Sequence, residues 1–252
     1  MSRFQKFLIG LAIVVLVGYA FIKLTYPTCT FRYKLTAEVM TPDGPKTGSG
    51  VIEVSYTHFF SLSGVPNLIH SVTGEAIFVD LGNNKNFFVT LTSWESGRNT
   101  NLEPSTPSFS GALGPLNLPI KVFKLTWPSG RGGEESTMAK QVEALEGSGP
   151  VVVPPVFLPT LVTFRNVNDP DSVEVVRPDN FAKTFGPGFE LVKATLQLTD
   201  EPPTETIEGT LPWLKAKKIE WEKIRSRGKG DALIILLNYD AFKEPGIWEG
   251  TL

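Results

Sequence analysis

One cysteine, Cys29, and two histidines, His58 and His70, are all that 252 residues contain of either type. A lone thiol closes no internal disulfide, so stability has to come from a hydrophobic core. Lipidation of Cys29 is also excluded, because Tyr26-Pro27-Thr28 precede it where small residues are required. Two imidazoles twelve positions apart, with no cysteine nearby, do not have zinc-ligand spacing. Nucleophilic hydrolysis lacks its usual parts as well: there is no G-x-S-x-G elbow, and both histidines read as structural or surface residues. No Asn-x-Ser/Thr acceptor occurs, which leaves glycosylated display without support. Neither sign of charge prevails: 24 basic against 26 acidic residues give −2, so general affinity for nucleic acid or for an acidic substrate is not implied.

Glycine and proline, in contrast, are plentiful at 23 and 20. Such usage describes short elements joined by tight turns better than a helical bundle. The other conspicuous presence is FLIGLAIVVLVGYAFI, sixteen residues from Phe7 to Ile22 without a charge. A bilayer core about 30 Å thick requires roughly 20 helical residues. The run reaches that length if Lys23 extends its amine to the interface and Leu24 to Tyr26 complete the exit turn. We therefore expect a cytoplasmic tail at 1–6, a transmembrane signal-anchor helix at 7–26 contacting lipid through Phe7–Leu24, and an extracytoplasmic domain at 27–252. A cleaved signal peptide remains the alternative, with Gly18-Tyr19-Ala20 as a small-x-small site. The basic residues nearly balance across the helix: Arg3 and Lys6 stand before it, Lys23, Arg32 and Lys34 after it. Orientation consequently rests on the resemblance of the basic tail and apolar run to the start of an exported chain.

The remainder predicts a mainly β, α+β fold: an antiparallel β-rich domain with a few short helices. Residues 31–40 alternate apolar and polar in the manner of a strand with one wet face. Thr41-Pro42-Asp43-Gly44 then turns the chain into a second strand at 51–56. A second hairpin is expected from strands at 74–81 and 86–94 around Gly82-Asn83-Asn84-Lys85. An exposed excursion covers 95–118, a strand is expected at 119–127, and EESTMAKQVEALEG at 134–147 reads as a helix. The proline-broken apolar stretch 149–164 should cross the core and end as a strand at 160–165. A strand at 172–176, a helical turn holding Phe181 and Phe185, and a strand after Gly186-Pro187-Gly188 suggest a hairpin-like pair. One or two helices within 205–227 and a central strand at 231–239 complete the expectation.

Motif-like coincidences dissolve on spacing. Ser226-Arg227-Gly228-Lys229 and Lys46-Thr47-Gly48 resemble penicillin-interacting motifs, but in reversed order and with glycines where a helix is needed. Asn166, Asn168, Asp169 and Asp171 lack the alternate ligand positions and sixth-place glycine of a calcium loop, and an Asx turn accounts for them. No metal, cofactor or catalytic residue set is predicted. The surface feature with a physical role open to it is 213–229, where Trp213 and Trp221 are interleaved with Lys215, Lys217, Lys218, Lys223, Arg225, Arg227 and Lys229. Beside a membrane, that face could meet anionic headgroups or a partner. A solvated face balanced by Glu220 and Glu222 is the alternative.

Along most of its length, through YPTCTFRYKLTAEV-TPDG, GEAIFVDLG, LPTLVTF-NDP, FGPGFEL and TLPWL, the chain resembles uncharacterised single-pass proteins of the bacterial envelope. That resemblance implies an inner-membrane setting and no activity. Taken together, the expectation is a non-catalytic envelope module that binds or scaffolds another envelope component. The alternative is a hydrolase in which two of Glu75, Asp80, Asp169 and Asp200 converge in a cleft.

Overall fold

The computed structural model describes residues 2–25, 28–59, 67–92, 114–127, 134–216, 242–243 and 246–250. Helix α1 runs Arg3–Thr25. Its apolar side chains surround the whole cylinder, so no single stripe can bury them against the domain, and none of the window Phe4–Phe21 is buried. One helix is thus long and apolar enough to span a membrane.

Strand β1, Thr28–Thr41, starts three residues beyond the helix. Its odd-numbered side chains, from Cys29 through Phe31, Tyr33, Leu35 and Ala37 to Val39, are buried, as the alternating pattern requires. Strand β2, Gly44–Phe59, pairs with it antiparallel along the full length of β1, from Thr28 opposite Thr57 to Thr41 opposite Gly44. The turn therefore consists of Pro42 and Asp43 alone, and residues 44–50 continue the strand instead of lengthening the loop. Gly44 takes φ +106°, which a side chain would resist.

Strands β3 (Asn67–Thr73), β4 (Ile77–Gly82) and β5 (Lys85–Val89) follow. The second expected hairpin is formed: Asn83 and Asn84 both lie in the left-handed region, at φ 52° and 59°, the geometry whose twist suits a two-residue hairpin. Helix α2, Asn117–Phe123, occupies the place where the alternation of PIKVFKLTW predicted a strand. That expectation fails for an identifiable reason. Pro119 falls in the first helical turn, where its missing N–H is not needed, and Leu118, Pro119 and Ile120 turn inward together. Helix α3, Glu134–Leu145, matches the expected amphipathic segment and buries Met138 and Val142.

Strands β6 (Val151–Val153) and β7 (Leu161–Phe164) flank a single 3-10 turn at Pro155–Phe157, so the proline-rich stretch crosses between sheets as anticipated. Strand β8, Val173–Val176, helix α4, Phe181–Phe185, and strand β9, Glu190–Leu198, come next. They do not form the hairpin-like pair suggested by their spacing. β8 pairs with β7, whereas β9 pairs with β1 and β6, so α4 carries the chain from one sheet to the other. Helix α5, Ile207–Thr210, and strand β10, Gly246–Gly250, complete the described elements. The central strand expected at 231–239 and residues 95–113 of the expected excursion at 95–118 lie outside the described residues, whereas 114–118 lead into α2 with Pro115 and Leu118 buried and not exposed.

Two sheets result, ordered β10-β3-β2-β1-β9-β6 and β4-β5-β7-β8. The fold is mainly β with a few short helices, and every pairing between the named strands is antiparallel. The main core lies between the odd face of β1 and the face of the smaller sheet that carries Val79, Leu81, Phe87 and Val89. The opposite face of that sheet is also covered: Phe88, Val162 and Phe164 meet Ile207, Leu211, Leu214 and Phe242. Adjacent residues Phe87 and Phe88 consequently anchor different cores, which explains why this short strand reads as continuously apolar.

Candidate functional site

The second core decides the fate of Trp213. Its indole N–H donates to the Val167 carbonyl at 2.8 Å, and its ring packs edge-on to Phe242 and tilted against Phe164. Trp213 thus closes a half-buried corner of the domain. Lys215 is exposed, and its amine lies 2.8 Å from Glu208. Lys243 reaches the other oxygen of the same carboxylate at 3.2 Å. The hydrogen bond from Lys215, and then that from Lys243, hold the Glu208 carboxyl below its usual range. Lys217, Lys218, Trp221, Lys223, Arg225, Arg227 and Lys229 lie outside the described residues.

The four carboxylates near strand ends are dispersed. Glu75 is buried, and its carboxylate accepts the backbone N–H of Thr206 at 2.6 Å, the Thr206 hydroxyl at 2.8 Å and the Ile207 N–H at 2.8 Å. It holds the first turn of α5 from across the chain, where the unpaired amides and the helix dipole favour a negative group. Asp80 is exposed and accepts the Gly82 N–H at the hairpin. Asp169 accepts the Asp171 N–H, and Asn166 likewise accepts from Asn168, so this cluster is a pair of Asx turns. Among the four, Asp200 alone lines a described cavity.

That cavity, about 260 Å³, opens between β1, the end of β9 and the C-terminus of α3. Arg32 crosses it, bonded to Glu53 at 2.7 Å and to the Asp200 carbonyl at 3.3 Å, with Glu146 at the rim. The guanidinium is already occupied by protein acceptors, which makes the cavity a polar seam between elements.

At the end of the sheet that follows α1, the core is rich in hydroxyls and aromatic rings. Tyr33 and Tyr56 donate to the carbonyls of Pro115 and Leu116 at 2.8 and 2.6 Å, fastening the approach to α2 onto the sheet. Burial first, then the neighbouring tyrosine or thiol, raises both phenols above their ordinary value. Burial, followed by the charge of Glu135, pushes the Cys29 thiol up to about 11, so it is a packed thiol and no nucleophile. His70, opposite Tyr56 on β3, has its pKa lowered by burial, and its Nδ1 is buried without a hydrogen-bond partner among the described residues.

A second cavity, about 560 Å³, lies along α2. Ile120 and Leu125 line it as buried apolar residues, Trp127 is half-buried, and Asn117, Lys121 and Lys124 are exposed. Sequence reading misses this site because the strand expected at 119–127 would separate the two lysines. The short helix and its left-handed C-cap instead bring Lys121 and Lys124 to the lining of one cavity. Among the described residues no group of three or more His, Cys, Asp or Glu side chains is arranged to hold a metal ion. No family model, no curated protein and no solved structure matches this chain.

Proposed function

We propose that the chain is a single-pass membrane protein whose β domain stands outside the cytoplasm as a non-catalytic module, binding or scaffolding another component of the bacterial envelope. The observation that carries this reading is α1, apolar around its full circumference and unburied throughout Phe4–Phe21. Each Leu, Ile, Val or Phe favours lipid over water by about 0.3–0.6 kcal/mol at a helix centre, and here such residues follow one another. The resemblance to single-pass envelope proteins supports an inner-membrane setting, and the basic tail before the apolar run supports the orientation.

A binding role draws support from the outer edge of the larger sheet. Val151 and Val152 on β6, Val156 just beyond it and Val192 on the adjacent β9 are all exposed, Val152 to 60%. Exposed apolar side chains on both faces of an edge strand suit contact with another protein. The test begins with carbonate washing of vesicles that contain the intact chain, followed by protease accessibility of the domain from the outer side. Retention in the membrane with an outward domain is the expected result, and release as a soluble monodisperse species overturns the reading. A pull-down from detergent extract at native abundance then tests the scaffold. A single stoichiometric envelope partner is expected, and recovery of the chain alone removes the scaffolding role.

A further inference from the structure

We propose that the α2 cavity binds the phosphate-bearing headgroup of an anionic phospholipid from the bilayer that holds α1. This inference rests on the membrane reading above and specifies what the domain does at that surface.

β1 begins three residues after α1 ends, a distance the chain spans in at most about 11 Å. Tyr56 lies directly opposite Cys29, the second residue of β1, and the Trp127 ring is 6.2 Å from that of Tyr56 in an edge contact. Trp127 therefore marks the end of the domain nearest the helix, whereas the Pro42-Asp43 turn marks the far end, about 40 Å further along β1. The cavity shares Trp127 and so reaches the end of the domain at which α1 joins.

The amines of Lys121 and Lys124 form neither an ion pair nor a hydrogen bond among the described residues, unlike those of Lys34, Lys193, Lys215 and Lys243, each of which faces a carboxylate. Two cations that no carboxylate among the described residues neutralises stand at a cavity with buried Ile120 and Leu125 and a half-buried indole. A phospholipid presents the complementary sequence of groups: a phosphodiester for the lysines, then glycerol and the first acyl carbons for the apolar floor and the indole. The volume, about 560 Å³, lies within the range of about 300–1,000 Å³ usual for small-molecule sites.

Backbone geometry supplies a third observation. Lys124 closes α2 in the left-handed region at φ 57°, where glycine or asparagine is the ordinary residue. A glycine would close the helix with less strain, so the side chain present is not the one that capping alone favours.

The test uses the full chain in lipid nanodiscs of phosphatidylcholine, with and without phosphatidylglycerol, and follows amide hydrogen exchange over 114–127. Slower exchange in the phosphatidylglycerol discs is expected, with Lys121→Gln and Lys124→Gly each diminishing the effect roughly fivefold. Lys124→Gly is the discriminating variant, because it relieves the backbone while removing the cation. If Lys124 serves only as a cap, the glycine variant keeps full lipid-dependent protection, and the proposal is overturned. Equal exchange in the two kinds of disc overturns it as well. So does protection reproduced by inorganic phosphate in phosphatidylcholine discs, which would identify a soluble phosphate site. A chain that leaves both kinds of disc overturns the membrane reading itself, an outcome distinct from retention with equal exchange.

Discussion

A Cβ on Gly48 would stand 2.2 Å from the carbonyl oxygen of Phe78. Gly48 and Gly50 face Ala37 and Leu35 on the core side of β2, and their bare backbone lets β4 cross against the larger sheet. The obstacle is main chain, so no side-chain rotation can relieve it. Gly48→Ala is expected to lower unfolding free energy by about 1–3 kcal/mol or more, as overpacking does. Gly209→Ala, in a helical turn with open space around it, should be neutral or slightly stabilising. Urea unfolding of the two variants in detergent gives the comparison, and equal midpoints would show that the sheets can separate freely at Gly48.

The hairpin at Asn83-Asn84 offers an opposite test, because it can be improved. Both residues hold positive φ, and glycine carries no Cβ penalty at the second position. Asn84→Gly should stabilise the domain by some tenths of a kcal/mol, and Asn84→Val should cost about 1–2 kcal/mol. Thermal unfolding would rank the three proteins, and a valine variant as stable as the parent would contradict a left-handed turn.

Loss of Glu75 should be among the most damaging single changes. Its carboxylate serves three donors at the start of α5, and removing it leaves the buried Ile207 amide without an acceptor. Glu75→Ala is expected to cost about 2–4 kcal/mol. Protease sensitivity over 200–216 should rise with it. Unchanged sensitivity would mean that the turn is held by its apolar contacts, Ile207, Leu211 and Leu214, alone.

His70 sets an acid limit on stability. Burial lowers its folded pKa below the ordinary 6.5, so the unfolded chain binds the proton more readily. Its contribution is therefore complete above 6.5 and is lost as pH falls from there through the lower folded value. His70→Gln should flatten the pH dependence of unfolding in that window. An unchanged slope would assign the dependence to other groups. Glu208 acts at lower pH with the same sign: its depressed pKa means that stability falls as pH drops below about 4.5 toward the folded value.

Features governed by neighbours along the chain are legible in the amino-acid sequence alone. Alternation over 31–40, the Pro42-Asp43 and Asn83-Asn84 turns, the Asx turns at 166–171 and helix α3 are each dictated by side chains within a few residues. Expectations fail where local pattern underdetermines partnership. β8 and β9 have ordinary strand sequences, and nothing near them states that they join different sheets. PIKVFKLTW alternates like a strand, yet one proline at a permitted helical position and a left-handed Lys124 make it α2. The same ambiguity conceals the paired lysines. Trp213 reads as a surface aromatic because its neighbours are basic, whereas its partners Val167, Phe164 and Phe242 come from distant parts of the chain.

The junction between α1 and β1 also determines how the molecule would bear tension. A pull on the helix enters the sheet through an interior strand, bonded to β2 from Thr28 to Thr41 and to β9 from Tyr33 to Met40. Those bonds lie across the direction of pull, so they would have to shear together and could not peel one at a time. A load passed between α1 and the Glu190 end of β9 would meet that shared resistance.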